Sequence, residues 1–284
     1  MWTAISTLLF SALFVSCQNK GEVSVPLRVM SFNIRYANPA DGPDAWAFRR
    51  AKVAATLDFF GVDVAGLQEA LHVQVKDLET ALPDYGWTGV GRDDGAQAGE
   101  YAPIFYRKSR FTLLDSGTFW LAPDTGKPTG PAWDAACMRI ATWALLGDGP
   151  NRSALLFINT HLDHVGPQAR VESAKLIRSF AQAKGREVPV ILTGDFNCTA
   201  RDSALITLTE DQGFRTTQAL SDRPAYGSRS TFNGFNPETP PGEAIDFILI
   251  KGQATVGRHG VISDRWDGRY VSDHNAVLAD ITLR

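Results

Sequence analysis

The chain has 284 residues, of which 44% are hydrophobic and 21% are charged, a composition typical of globular proteins. Its 28 Lys and Arg against 31 Asp and Glu give a formal net charge of -3, which excludes strong binding of nucleic acid through overall charge. Its 3 cysteines lack the paired spacing of a zinc site and are too few for a disulfide scaffold. Any metal site is therefore expected to use oxygen ligands.

The N-terminal segment is predicted to direct export. Residues 5–15 form an apolar run that is followed by Cys17 and then by polar residues. A bilayer span needs about twenty apolar residues, so we interpret residues 1–23 as a signal peptide with a short tether. The segment before Cys17 resembles the lipobox of bacterial lipoproteins. We expect an exported protein, lipid-anchored to the membrane at Cys17 or secreted, with one monomeric domain over residues 24–284.

Hydrophobic periodicity predicts that strands and helices alternate along this domain. Helical spacing occupies residues 45–60, 72–82, 168–183 and 203–209. Strand patterns occupy residues 27–36, 62–68, 101–107, 111–121, 139–146, 154–160, 188–193, 245–251, 255–262 and 276–283. Strands that are apolar on both faces need helices outside and a second sheet inside. The pattern therefore predicts an α/β (α+β) fold with two mixed sheets packed face to face and helices on both outer faces.

Nearly every predicted strand ends in a carboxylate, an amide or an imidazole. In chain order these residues are Asn33, Glu69, Asn159, His161, Asp195, Asn197, Asp246, Asp273 and His274. Each alone has an ordinary structural explanation, such as a turn or a helix cap. Polar groups clustered at strand ends usually line a site, so their joint occurrence predicts one.

These residue types favour hydrolysis of a phosphate ester with Mg²⁺ or Mn²⁺, because those ions prefer carboxylate and amide ligands. In this hypothesis Glu69 and Asp273 hold the metal, and Asp195 orients or deprotonates the attacking water. Asp246 pairs with His274 and fixes its tautomer. The hydrogen-bond donors to the transition state are His161, Asn33 and Asn197.

Five separated motifs carry a family resemblance over essentially the whole chain after the leader. They are Ser-Phe-Asn-Ile at 31–34, Leu-Gln-Glu at 67–69, Asn-Thr-His-Leu at 159–162, Gly-Asp-Phe-Asn at 194–197 and Ser-Asp-His at 272–274. In this order they resemble the endonuclease/exonuclease/phosphatase superfamily of metal-dependent phosphoesterases. The resemblance implies a four-layered α-β-β-α sandwich.

The resemblance also implies roles for individual residues. It gives Glu69 as the metal ligand with Asn33 and Asp273 in the metal shell, and it implies that His161 binds the phosphate. Asp195 and Asn197 align the nucleophile, and Asp246 and His274 form the carboxylate and imidazole pair. Tyr101 falls where DNA-repair members place a tyrosine facing the phosphate, which makes it a candidate for substrate binding.

Differences between this chain and the DNA-repair members of the family limit the substrates that are expected. Arg35 and Tyr36 follow the first motif near the point where abasic-site repair members have an acidic residue, so repair activity is not expected. The chain is more similar to secreted bacterial members with an extended His-Leu-Asp-His motif. Further substrate contacts are predicted for Asn159, Arg35, Arg139, His164, Arg170 and Trp133. A guanidinium fork matches two phosphate oxygens, and the alternative for each arginine is a structural ion pair.

Several functions fit this pattern. We expect a phosphodiesterase that acts outside the cytoplasm on a small substrate, such as a nucleotide, a phospholipid headgroup, an inositol phosphate or a phosphorylated sugar. An extracellular nuclease is the alternative, weakly supported by basic clusters at residues 49–52 and 107–110. A sphingomyelinase-like phospholipase and a non-enzymatic lipoprotein that binds anionic glycans or lipids are further alternatives. The loops at residues 89–100 and 226–242 are expected to rim the cleft.

Overall fold

Two large mixed β-sheets form the centre of the protein in the computed structural model, which describes residues 26–149 and 154–283. The predicted signal peptide and Cys17 lie outside the described residues. In spatial order, one sheet contains β10 (Tyr226–Gly227), β12 (Ala254–Ile262), β15 (Ala276–Leu283), β1 (Leu27–Asn33), β2 (Val64–Gln68), β4 (Ile104–Arg107) and β3 (Tyr85–Thr88). The other contains β5 (Phe111–Trp120), β6 (Ile140–Asp148), β7 (Ala154–His161), β8 (Val190–Asp195), β11 (Asp246–Lys251) and β9 (Arg215–Thr216).

The remaining elements are helices and one small hairpin. The α-helices in the described ranges are α1 (Trp46–Phe59), α2 (His72–Ala81), α3 (Pro167–Lys184), α4 (Ser203–Thr209) and α5 (Thr217–Leu220). The hairpin pairs β13 (Arg265–Trp266) with β14 (Arg269–Tyr270), and a 3₁₀ helix covers Pro39–Asp44. No helix in the described part of the chain is long and apolar enough to cross a membrane.

Side-chain alternation along each strand divides its apolar residues between two layers. Val29 of β1 joins Phe157 of β7 in the core between the sheets. Its neighbour Met30 points the other way, into the cluster that includes residues of α1 and α2. A third cluster packs α3 and α4 against the outer face of the six-stranded sheet, as Ile177 illustrates. Three apolar layers between helix, sheet, sheet and helix confirm the predicted α-β-β-α sandwich.

Most predicted elements are present, with ends that differ by a few residues. The strand β3 was not predicted, because it is short and contains Gly86. The predicted strand at 101–107 begins only at Ile104, after Pro103. Proline has no N–H for a ladder hydrogen bond, so it marks the start of the strand.

Asn159 is buried between the sheets and does not reach the candidate site, which corrects its predicted role in substrate binding. Its Oδ1 accepts hydrogen bonds from Gln68 Nε2 at 2.7 Å and from Thr193 Oγ1 at 3.0 Å. Its Nδ2 donates to the carbonyls of Leu67 at 2.6 Å and Pro103 at 3.1 Å. All hydrogen-bonding positions of the amide are used by the protein, so Asn159 ties one sheet to the other.

Asn159→Ala should therefore affect stability and leave the substrate KM unchanged. The substitution leaves buried partners on both sheets unpaired, so the free energy of unfolding should fall by about 3 kcal/mol or more. Urea denaturation measures this loss, with Thr207→Ala on the exposed face of α4 as the control. A stable variant with a raised KM would instead support the predicted substrate contact.

Candidate active site

The pairing of neighbouring strands brings several of the predicted polar side chains together at one edge of the sandwich. His161 at the end of β7 lies opposite Asp195 at the end of β8, and Asp246 at the start of β11 pairs with Asp195 from the other side. Asn33 ends β1 in the other sheet. Its Nδ2 donates to Asp195 Oδ2 at 2.9 Å, so the site is built from both sheets.

Asp195 lies at the centre of the site and is 1% exposed. Its Oδ1 accepts from the backbone N–H of Asn197 at 2.9 Å. Its Oδ2 lies 3.6 Å from Nε2 of His161 and 3.6 Å from Nε2 of His274. Burial raises the pKa of Asp195 to about 7, with a further rise from the charge of Asp246. A carboxylate with such a pKa can exchange a proton near neutral pH.

His274 forms a buried pair with Asp246, as the sequence predicted. Its Nδ1 lies 2.9 Å from Asp246 Oδ2, and Phe232 packs edge-on against the ring with 5.1 Å between centroids. Burial lowers the pKa of His274, but Asp246 and Asp195 raise it more, to about 10. The imidazole is thus protonated at neutral pH and donates from Nδ1 to Asp246.

Glu69 follows β2 with a left-handed backbone, at φ 62°. Its Oε1 accepts from Asn33 Nδ2 at 3.0 Å and its Oε2 from the backbone N–H of Tyr36 at 3.1 Å. The Oδ1 of Asn33 accepts from the backbone N–H of Arg35 at 3.0 Å. Asn33 therefore turns its amide nitrogen, and not its oxygen, toward the two carboxylates of Glu69 and Asp195.

The acidic side chains fit a divalent cation. Ligand atoms of Glu69, Asp195 and His274 lie within 4.8 Å of one another. Burial raises the pKa of the neighbouring Asp273, and the charge of Glu69 raises it further, while His274 and Arg35 oppose these effects. Carboxylates crowded in this way repel one another until a cation offsets their charge. Their hard oxygen atoms suit Mg²⁺ or Mn²⁺.

His161 is neutral, and its contacts fix which nitrogen carries the proton. Asn197 Nδ2 donates to the carbonyl of Leu162 at 3.0 Å, which fixes the orientation of the amide. The same Nδ2 lies 2.9 Å from His161 Nε2, so Nε2 is the acceptor and Nδ1 carries the proton. Burial and the charges of Arg139 and Arg92 hold the pKa of His161 well below its usual value.

The predicted residues Arg139, His164 and Arg170 lie around the turn that follows His161. Arg139 Nη2 is 3.0 Å from His164 Nδ1, and Arg139 Nε lies 3.4 Å from the Oδ2 of Asp163. Arg170 donates from Nη1 to the carbonyl of Asp163 at 2.9 Å. Arg139 and His164 thus extend the site, and Arg170 supports the turn that follows His161.

Arg35 and Trp133 lie farther from the central residues. Arg35 forms two hydrogen bonds of 3.1 Å with Asp41 and lies 3.7 Å from Asp273 Oδ2. This is the ion pair that the sequence left open as an alternative. Trp133 is 37% exposed at φ 55°, on the loop that precedes β6.

Tyr101 does not face the other site residues with its hydroxyl, which corrects the role implied by repair members. The hydroxyl donates to the carbonyl of Ala96 at 2.8 Å and lies 2.9 Å from His72 Nδ1. Its ring is buried, at 3% exposure. Tyr101 instead anchors the loop at residues 91–100.

That loop contributes two residues that the sequence did not single out. Arg92 donates from Nη1 and Nη2 to the two carboxylate oxygens of Glu100, at 2.8 and 3.0 Å. Glu100 Oε2 lies 4.0 Å from His161 Nδ1. The sequence indicated a loop beside the cleft, but loop residues have no periodicity that would identify which side chains turn inward. Phe232, on the other predicted rim loop, was missed for the same reason.

The α-β-β-α sandwich, with carboxylates and imidazoles gathered where its strands end, defines a metal-dependent phosphoric ester hydrolase. The model of the endonuclease/exonuclease/phosphatase family matches residues 30–274, and the chain belongs to this family.

Solved structures of bacterial proteins are similar over nearly the whole chain. An endonuclease/exonuclease/phosphatase from Bacteroides vulgatus is 40% identical, with a TM-score of 0.88 over 92% of this chain and 100% of that one. A mannosyl-6-phosphatase from Bacteroides thetaiotaomicron is 34% identical, with a TM-score of 0.87 over 90% of this chain and 100% of that one. An uncharacterised mimivirus protein is 23% identical over 84% of this chain, which spans 38% of that relative's length.

Asp246→Asn should lower the pKa of the His274 imidazole. The substitution removes a carboxylate charge that favours the protonated ring, while burial, which favours the neutral ring, remains. Histidine NMR titration of the metal-free protein measures the change. His259, buried elsewhere with a pKa of about 4, should titrate as before and serves as the internal control. An unchanged His274 titration would contradict this account of the pair.

Proposed function

We propose that the chain hydrolyses a small phosphoester outside the cytoplasm by direct attack of a water molecule that Asp195 activates. The environment of Asp195 carries the proposal. This carboxylate is buried, takes hydrogen bonds from Asn33 and Asn197, and lies between the protonated His274 and the neutral His161. Each of these groups restricts its orientation, and the raised pKa suits a general base.

The roles of the surrounding residues follow from their charges. Asp195 accepts the proton of the attacking water. His274 carries a positive charge toward the reacting phosphoryl group, and Asp246 keeps it protonated. His161 is neutral and lies 3.6 Å from Asp195, so it restricts the orientation of that carboxylate without adding a charge.

Glu69 and Asp273 are the proposed holders of the cation. A bound Mg²⁺ or Mn²⁺ would neutralise charge on the phosphoryl oxygens. Asn33 acts beside this ion as a hydrogen-bond donor that sets the positions of Glu69 and Asp195.

The substrate is proposed to be small. The sequence favoured a phosphodiester among several small phosphoesters. The similarity to a mannosyl-6-phosphatase, at 34% identity, favours a phosphorylated sugar instead. We therefore place a sugar phosphate first and the phosphodiester second.

The nuclease alternative loses part of its supporting observation. Of the basic clusters that suggested it, Arg49 is 2% exposed and donates to the carbonyls of Ile34 and Val271. Arg110 donates to Asp63 and Asp148 at 2.8 and 2.9 Å. Arginines committed inside the fold do not form the cationic track that a nucleic-acid strand needs.

The proposed location rests on the sequence. Export through residues 1–23, a lipid anchor at Cys17 and a monomeric catalytic domain over residues 24–284 are its parts. Attachment to the outer face of a membrane would give the enzyme access to phosphoesters from outside the cell.

Asp195→Asn should lower metal-dependent turnover by about 100-fold or more, because the amide cannot accept the proton of the water. Glu69→Gln should raise the Mg²⁺ concentration needed for half-maximal rate, because it removes one ligand charge. Both are measured on 4-nitrophenyl phosphate, bis(4-nitrophenyl) phosphate and a hexose 6-phosphate.

The matched control is Asp115→Asn, which removes an exposed carboxylate from β5. A chelator should abolish turnover in the wild-type protein and in this control alike. Full metal-dependent turnover in both site variants would disprove the proposal. Failure of the wild-type protein to bind Mg²⁺ or Mn²⁺ by calorimetry would favour the binding-lipoprotein alternative.

A further inference from the structure

One side of His161 is lined by buried hydrogen-bond donors that have no partner. His161 Nδ1 and Arg139 Nη1 are both buried and without a hydrogen-bond partner in the part of the chain that the structure describes. The carboxylate of Glu100 is close to the first of them, with its Oε2 4.0 Å from His161 Nδ1. The charge of Arg139 lowers the pKa of both His161 and Glu100, so its guanidinium lies close to the two side chains.

An unpaired donor at this depth calls for a ligand atom. The Arg139 side chain is 5% exposed, and a guanidinium can only donate hydrogen bonds. Leaving such a group unpaired is unfavourable, because the group loses its hydrogen bonds to water and gains none in the protein. Polar groups this buried are nearly always paired in folded proteins, so the arrangement indicates an oxygen atom from a bound molecule.

Glu100 determines which kind of oxygen fits. Its carboxylate only accepts hydrogen bonds, and each oxygen retains a lone pair beyond the one used by Arg92. Its side chain is 20% exposed, so a ligand can reach it. A phosphate oxygen would be repelled at this position. A hydroxyl group would donate to Glu100 and accept from Arg139 or His161.

We infer that Glu100, Arg139 and His161 form a subsite that binds a hydroxyl group on the alcohol part of the substrate, which makes polyol and sugar phosphates the preferred class. The subsite lies on the face of His161 opposite Asp195. A substrate whose phosphoryl group is at Asp195 therefore extends its alcohol part toward Glu100. The inference rests on the proposed function, because it takes Asp195 as the position of the chemistry.

The subsite is held in place before a substrate arrives. Trp120 donates from Nε1 to the carbonyl of Arg92 at 2.8 Å, and the backbone N–H of Arg92 donates to the carbonyl of Glu100 at 3.1 Å. Tyr101 fixes the tip of the same loop through Ala96. Because the Glu100 carboxylate is already held in position, it loses little conformational entropy when a substrate binds. Its hydrogen bond to the substrate hydroxyl therefore contributes more to specificity.

The test compares two primary-alcohol phosphates, a hexose 6-phosphate and n-hexyl phosphate, which lacks the other hydroxyls. The wild-type protein should give the higher kcat/KM on the hexose 6-phosphate. Glu100→Gln and Arg139→Met should each lower the ratio of the two kcat/KM values by about 10- to 100-fold, the effect of losing a charged hydrogen bond to a hydroxyl. Glu210→Gln and Arg178→Met, an ion pair on α3 and the turn after α4, should leave the ratio unchanged.

Binding without turnover gives a second measurement. In the Asp195→Asn background, calorimetry should show hexose 6-phosphate bound more weakly by about tenfold or more when Glu100→Gln is added. The affinity for n-hexyl phosphate should change less than the affinity for hexose 6-phosphate. Thermal unfolding of each variant confirms that it is folded.

The outcomes separate the two proposals. An unchanged ratio in both site variants, with turnover still lost in Asp195→Asn, would overturn the hydroxyl subsite and leave the phosphoesterase standing. Equal loss on both substrates would overturn it as well, because that would be a general effect on the site. Absence of metal-dependent turnover on every phosphoester would remove the proposed function itself.

Discussion

The site depends on the position of one β-sheet relative to the other. Asn33 reaches it from the seven-stranded sheet, whereas Asp195 belongs to the six-stranded sheet, and their hydrogen bond crosses the gap between them. Asn159 fixes that gap through its bonds to Gln68 and to the carbonyl of Leu67. Apolar contacts alone tolerate sliding, while directional hydrogen bonds in a dry interior set one register. The side-chain amides of Asn33 and Asn159 therefore set the relative position of the two sheets, on which the geometry of the site depends.

Buried carboxylates are concentrated at the edge of the sandwich that forms the site. Asp195, Asp246 and Asp273 are all buried, and the protonated His274 lies 3.6 Å from Asp195 and 2.9 Å from Asp246. Arg49 lies beneath, where burial lowers its pKa to about 10 although Asp273 acts in the opposite direction. The fold therefore accepts crowded carboxylates that a bound cation would relieve. A site of this kind lowers the free energy of unfolding relative to an apolar edge, and the packing of the surrounding sandwich offsets this loss.

The sequence predicted the cluster well where a polar residue ends an apolar strand, as at Asn33 and Asp195. It failed at Asn159, which lies on the same face of β7 as His161 but two residues earlier. Two residues of strand correspond to about 7 Å, enough to place the amide within the core. Alternation reveals the face of a side chain and gives no measure of its depth. Glu100 was missed for a different reason, because the loop that holds it has neither period nor motif.

Strand ends and loops provide different residues of the site, and this affects how the protein can evolve. Strand ends supply Asp195, Asp246 and Asn33, so the positions of these residues are set by the pairing of the sheets. Arg92 and Glu100 belong to a loop that is fastened to the body by a few contacts, among them the indole of Trp120. Exchange of that loop would alter the proposed alcohol subsite while the reacting groups keep their positions. A single scaffold can in this way diversify across many phosphoesters, with new specificities arising by loop replacement.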